Sequence, residues 1–154
     1  MTLLLAALLL ALTVPQVEPS RPEQRIVSQI NRVRTEQGLQ PLTVDPLLQV
    51  TSHVKARKII RTGCYAHQIG GEWPNGLLRR FGVPLPSQWP SDSNRVEALY
   101  LGSPRVSRQV EAFLESPSHR ALLLSPQARQ VGVSVRRFWL NGHRTGLAVV
   151  HIVP

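Results

Sequence analysis

The sequence predicts an α+β domain, a small sheet covered by helices. Three observations carry that expectation. Apolar residues recur at helical spacing through most of the chain, between recognisable start and stop signals. The period then changes to two at Val131, Val133 and Val135, which alternate with Gly132, Ser134 and Arg136. Finally, Asn141-Gly142 is a strong signal for a two-residue hairpin turn.

The elements follow in order. Residues 1–17 contain an apolar run, MTLLLAALLLALTV, and no charged side chain. The run has the length of a signal-peptide core and falls short of the roughly 20 apolar residues a membrane span needs. It reads as a signal peptide or N-terminal hydrophobic segment. Its cleavage would leave a secreted, extracellular or periplasmic protein without a transmembrane span, and its retention would tether the protein to the membrane. No cysteine follows the run, so a lipoprotein anchor is excluded. Residues 18–24 read as a linker and 25–154 as the folded domain.

Ser20 and Glu23 have the spacing of a capping box, with Pro22 in the first turn. Ile26, Val27, Ile30 and Val33 form the stripe of a first helix, and Gly38 is its stop. Asp45-Pro46 starts a second helix, which Gly63 ends. Cys64 to Gly71 is a connector, Asn75 is a candidate cap for a short helix, and Pro84, Pro86 and Pro90 force irregular chain to about Asn94. Val96 to Leu101 fits either a strand or a turn of helix. Ser103-Pro104 starts a third helix with Val106, Val110, Phe113 and Leu114 on its apolar face. Ser116-Pro117 ends it, and His119 to Leu124 adds one or two helical turns. Leu147 to Val153 is apolar on both faces and predicts a central strand.

Composition narrows the function. The chain has 154 residues, 42% of them hydrophobic and 18% charged, enough for a packed core. Aromatics are only 5%, which disfavours a base-stacking nucleic-acid platform. A single cysteine, Cys64, excludes an internal disulfide framework, and no Gly-rich phosphate loop is present. The formal net charge is +9, almost all from arginine, since Lys55 and Lys58 are the only lysines. Such a surface favours anionic envelope components or lipid as partners.

Five histidines are candidates for chemistry, and no pair of them has the i, i+4 spacing of a helical zinc motif. His53, His143 and His151 read as structural or exposed. His67 and His119 each follow a helix end, where side chains can converge on one cleft and two neutral imidazoles can bind a divalent metal such as zinc. Glu97, Glu111 and Glu115 are the candidate carboxylates. Glu111 and Glu115, four apart, also fit a solvated helix face. Ser116 and Ser118 flank His119 but serve equally as caps, and Cys64 near His67 lacks an orienting third group, so no catalytic residue is assigned.

Several pieces, taken in sequence order, resemble the CAP superfamily of cysteine-rich secretory, antigen 5 and pathogenesis-related proteins, in its bacterial form. Asn31 to Arg34 with Gly38-Leu39 and Pro41-Leu42 resembles the opening helix and turn of that family. Tyr65-Ala66-His67 resembles its first cavity histidine, and Glu97 with Tyr100-Leu101-Gly102 its glutamate segment. Phe113 to Arg120 is similar to the bacterial W-x-x-S-x-x-H-R box, and Gln130 to Val133 to the strand after it. The resemblance implies an α-β-α sandwich with a small antiparallel sheet between helical layers. It implies a CAP (SCP-like) domain over 25–154 and secretion. It also implies a cleft that can hold a divalent metal on His67 and His119, with Glu97 and Glu115 as cleft acids. Ala98, Ser116 and Phe113 depart from the family pattern, which weakens the implied metal site. The function expected is a non-enzymatic binding module for a metal or a small or lipid ligand. The alternative is a metal-assisted hydrolase using the same cleft, with Glu97 as general base.

Overall fold

A computed structural model describes residues 17–154. The hydrophobic segment expected over residues 1–17 therefore lies, apart from Val17, outside the described residues. The first helix, α1 (Arg21–Glu36), begins inside the stretch read as a linker, because the Ser20–Glu23 capping box forms as expected. Two residues of strand, β1 (Thr43–Val44), lead into α2 (Pro46–Thr62). The Asp45 side chain caps α2 by accepting from Leu48 N at 2.9 Å, and Gly63 ends it at φ 66°. The short α3 (Pro74–Arg80) starts at Trp73, not at Asn75. Asn75 lies within the helix and holds the irregular 90–95 loop instead, donating to Pro90 O and Ser93 Oγ and accepting from Arg95 N.

The ambiguous segment is a strand, β2 (Glu97–Gly102). The third expected helix, α4 (Val106–Glu115), starts later than its Ser-Pro signal, with Arg105 at the cap position. Ser116 ends α4 and opens α5 (Pro117–Leu123), with Pro117 in its first turn. The hairpin strands are long: β3 (Gln130–Leu140) and β4 (His143–Val153) pair from Gln130↔Val153 to Leu140↔His143. Asn141 at φ 50° and Gly142 at φ 78° are the two left-handed residues such a tight turn requires.

The sheet order is β1-β3-β4-β2. β4 is central, as its two apolar faces predict. The sheet is antiparallel across β3, β4 and β2, as expected, and β1 adds a two-residue parallel pairing to β3 at its edge. One face, bearing Ala98, Val133, Val150 and Ile152, packs on Ile26 and Ile30 of α1, Phe113 of α4 and Leu123 of α5. The other face, bearing Leu99, Leu147 and Val149, packs on Ala56 and Ile59 of α2. These three layers are the expected α-β-α sandwich.

Polar staples fix the layers. A Cβ on Gly132 would stand 2.0 Å from the Leu48 carbonyl carbon, so only glycine lets α2 lie this close to β3. Because β1 is so short, β3 has an open edge beyond it. The Gln49 amide fills that edge like a strand, accepting from Val133 N and donating to Val133 O. Glu23 continues it by accepting from Val135 N at 3.0 Å. Asn31 pairs with both backbone groups of Leu42, and the fully buried Arg34 donates to the carbonyls of Gln40, Leu123, Ser125 and Ala128. The two polar residues of the opening-helix motif thus tie α1 to the turn before β1 and to the segment that leads from α5 into β3.

Burial raises the pKa of Glu23, but hydrogen bonds from His53, Val135 and Ser20 outweigh it and hold the carboxyl at about 2, against 4.5 for the free group. A depressed acid contributes stability that is present above its unfolded pKa and is lost as pH falls through the folded one. Glu23 is 1% exposed. Between about pH 4.5 and pH 2 it should therefore remove about 3 kcal/mol of stability. Urea unfolding across this range should show a smaller pH slope in Glu23→Gln than in the parent; equal slopes would contradict the assignment.

Candidate functional site

The cleft lies where β2 begins and β4 ends. Glu97, the first residue of β2, is in register with His151 of β4, so both side chains leave the sheet on the α2 face. Thr51 and Lys55, one turn apart on α2, face them. His67 comes from the connector after α2. His119 comes from α5 in the opposite layer.

Glu97 is the hub of this group. It is 2% exposed. Its Oε1 accepts from His67 Nδ1 at 2.9 Å and lies 3.5 Å from Lys55 Nζ, and its Oε2 accepts from His151 Nε2 at 3.0 Å. Burial pushes Glu97 toward the neutral acid, but the bonds from His151 and His67, with the positive charges of His151 and Lys55, outweigh it and hold the carboxyl below its ordinary range. Burial also pushes Lys55 down, and Glu97 opposes that shift. Lys55 further donates to the His67 carbonyl, so one ammonium fixes both the backbone and, through Glu97, the ring of His67.

Asn94 completes the frame. Its Oδ1 accepts from the backbone of Val96 and Glu97, and its amide nitrogen donates to Glu97 O while lying 3.0 Å from His67 Nδ1. An ionised carboxylate only accepts hydrogen bonds, so His67 Nδ1 carries the proton shared with Glu97, and Nε2 is the ring nitrogen outside this contact. On the far side, Thr51 Oγ1 lies 2.8 Å from His151 Nδ1.

His67 and His119 meet across the cleft. Their ring centroids are 6.4 Å apart and their planes cross at 67°. The Phe113 ring stands edge-on to His119 at 5.5 Å. Burial first, and the neighbouring His67 second, lower the His119 pKa, which keeps this ring a neutral base to lower pH than an exposed histidine. The cleft has a volume of about 710 Å³, within the range of small-molecule sites. Beyond the two imidazoles its wall is largely apolar, with Trp89, Leu122 and Ile152 along it.

Of the residues expected at the site, His67, His119 and Glu97 converge. Glu115 does not: it is exposed at the end of α4 and does not line the cleft, because the helix turns Phe113 inward instead. Glu111 is likewise exposed and pairs with Arg108. Sequence reasoning missed Lys55, Asn94 and His151. His151 looked like a satisfied core histidine, and its partner is visible only once the β2–β4 register is known. Lys55 carried one signal, a cation on the stripe of α2 that otherwise faces the core.

The donor set bears on the metal that the resemblance implies. Among the described residues no group of three His, Cys, Asp or Glu side chains is placed to hold an ion. The chain offers two imidazoles, His67 and His119, with Glu97 orienting the first. That arrangement fits an open two-histidine site whose remaining ligands come from outside the protein, not a closed protein cage.

Comparison with known proteins agrees with the fold. Residues 27–150 match the model of the cysteine-rich secretory protein family, CAP. The chain belongs to that family. It is 26% identical over 114 residues to the uncharacterized protein YkwD of Bacillus subtilis, an alignment that covers 72% of this chain but 41% of that protein. It is similar in structure to an outer surface protein of Borrelia burgdorferi, with a TM-score of 0.67, 20% identity, and coverage of 88% of this chain and 95% of that one. It is also similar to an extracellular SCP-domain protein of Bacillus anthracis, with a TM-score of 0.63, 16% identity, and coverage of 85% and 40%.

Removing the Glu97 charge should leave Lys55 buried against a neutral amide. Breaking a buried pair in this way costs on the order of 3–5 kcal/mol. Thermal and urea unfolding of Glu97→Gln should show a loss of that size, and Lys55→Met combined with Glu97→Gln should recover part of it. Additive losses in the double variant would mean the two groups are not coupled.

Proposed function

We propose that the chain is a secreted binding module, not a hydrolase. Its cleft takes a small amphipathic ligand whose apolar body lies along Trp89, Leu122 and Ile152 and whose polar head meets His67 and His119. A divalent metal such as zinc, held by the same two imidazoles, would serve as an electrophilic contact for that head. The basic surface, at +9 overall, directs the module toward the anionic components of an envelope. The extracellular and outer-surface proteins that share its fold support an extracytoplasmic location, as does the apolar run at residues 1–17.

The observation that carries this reading is the placement of two imidazoles in the wall of a largely apolar cleft, with the carboxylate beside them, Glu97, engaged behind one ring. A general base must have an oxygen free to take a proton from water in the cleft. Glu97 is buried, and both its oxygens already accept from His67 and His151. Its geometry suits a residue that orients His67 better than one that activates water.

Calorimetric titration tests the reading with two probes, zinc alone and decanoate alone. Saturable binding of either probe is expected, weakened about tenfold or more in His119→Ala, in keeping with the loss of a direct ligand. Zinc affinity should also fall in acid as protons compete for the two rings. Decanoate binding should be followed in parallel by the fluorescence of Trp89. No saturable binding of either probe, or equal affinity in wild type and His119→Ala, would contradict the proposal, and turnover of peptide or ester substrates abolished by Glu97→Gln would favour the hydrolase.

A further inference from the structure

We infer that the tip of the β3–β4 hairpin is a membrane-surface anchor that inserts into the headgroup region of a bilayer containing anionic lipid. The inference rests on the envelope-facing reading above and names the surface that would make the contact; it is independent of the cleft.

The hairpin outruns the sheet. β1 leaves β3 at Val131, and β2 pairs with β4 no further than Gly102↔Gly146. From Arg137 to Thr145 the two strands pair only with each other and project as a ribbon. Beside its polar turn, Asn141-Gly142, and His143, the ribbon carries two exposed apolar side chains. Trp139 is 71% exposed and Leu140 42% exposed, and they are two of the four large hydrophobic residues most exposed among those described. Period-two alternation puts Trp139 and Leu140 on opposite faces, so neither can shelter the other. Both lie at the end of β3, just before the turn Asn141-Gly142, which places them beside the tip of the projection.

Charge selects the occupant. From Gln130 to Pro154 the chain has no Asp or Glu, and it has Arg136, Arg137 and Arg144. Arg144 lies directly opposite Trp139, and Arg137 is two residues behind it on the same face. Both arginines are exposed, and no carboxylate pairs with either among the described residues. An indole near the tip, with one guanidinium level with it and a second two residues behind, matches the order of a bilayer surface, where Trp rests at the headgroup level and cations meet phosphate. A second copy of the chain fits less well. One Trp and one Leu offer on the order of 300 Å², well short of the roughly 800 Å² per partner of a stable interface. The site is also remote from the cleft: Val153 lines the cleft eleven residues along β4 from the turn, about 35 Å at the rise of a strand.

The test is flotation of the full chain with phosphatidylcholine vesicles, with and without phosphatidylglycerol. Comparing variants in the same full-length background makes any contribution of residues 1–17 common to all of them. The parent should bind phosphatidylglycerol vesicles and bind phosphatidylcholine at least about tenfold more weakly. Trp139→Ser with Leu140→Ser, and separately Arg137→Ser with Arg144→Ser, should each lose about tenfold in affinity. A readout that needs no loss of binding is quenching by brominated acyl chains: the parent should be quenched, and Trp139→Phe should bind but lose most of the quenching. Retained binding in the Trp139/Leu140 variant would overturn the anchor and leave the basic surface as the binder. Equal binding to both vesicle types, or a parent that is dimeric without lipid and monomeric in that variant, would also overturn it. A parent that binds no anionic vesicle would remove both the anchor and lipid as the envelope partner.

Discussion

A buried carboxylate on the first residue of an edge strand organises the cleft end of this molecule. Glu97 has its charge supported by His67, His151 and Lys55, drawn from a loop, the central strand and a helix. An ionised group in the interior is tolerated only when it is paired and hydrogen-bonded. Each of the three elements must therefore arrive in place for any of them to be stable there. The consequence at the surface is one fixed imidazole, His67, whose free nitrogen is available to the cleft.

The rest of the fold brings that end of the sheet into position. α2 carries Lys55 to Glu97 and Thr51 to His151 because it lies against β3 at Gly132, where no side chain separates the two backbones. The other layer delivers His119 through α4 and α5, with Phe113 filling the core beneath it and Arg34 tying α5 and the following loop back to α1. The two histidines thus come from opposite sides of the sheet and meet at its end. This geometry leaves the cleft open to ligands from solvent while its acidic support remains sealed behind the rings.

Much of this was legible in the sequence, and the illegible parts have definite causes. Local signals found the helices: the Ser20–Glu23 box, Asp45-Pro46 and Ser116-Pro117 each mark a boundary that formed. Asn141-Gly142 fixed the hairpin, and the two apolar faces of Leu147 to Val153 fixed the central strand. What escaped was nonlocal. β1 has two residues and exists only because β3 offers an edge. Asn75 bonds to a loop fifteen or more residues away instead of capping its own helix. The resemblance implies Glu115 as a cleft acid, but helical rotation turns it to solvent, as the charged face of α4 also allowed. Helix-end context marked His67 and His119, and the family resemblance singled out Glu97 among three carboxylates; the roles of His151 and Lys55 depend on packing and register that no local pattern encodes.

The central claim is that Glu97 is an ionised hub that holds His67 with its proton on Nδ1. Carboxyl-carbon NMR of the folded protein, followed through an acid titration alongside the ring nitrogens of His67, tests it most directly. Glu97 should titrate below 4.5, the ordinary glutamate value, with His67 Nδ1 protonated while the carboxylate persists. A Glu97 midpoint at or above 4.5, or His67 with its proton on Nε2 alone, would contradict the account.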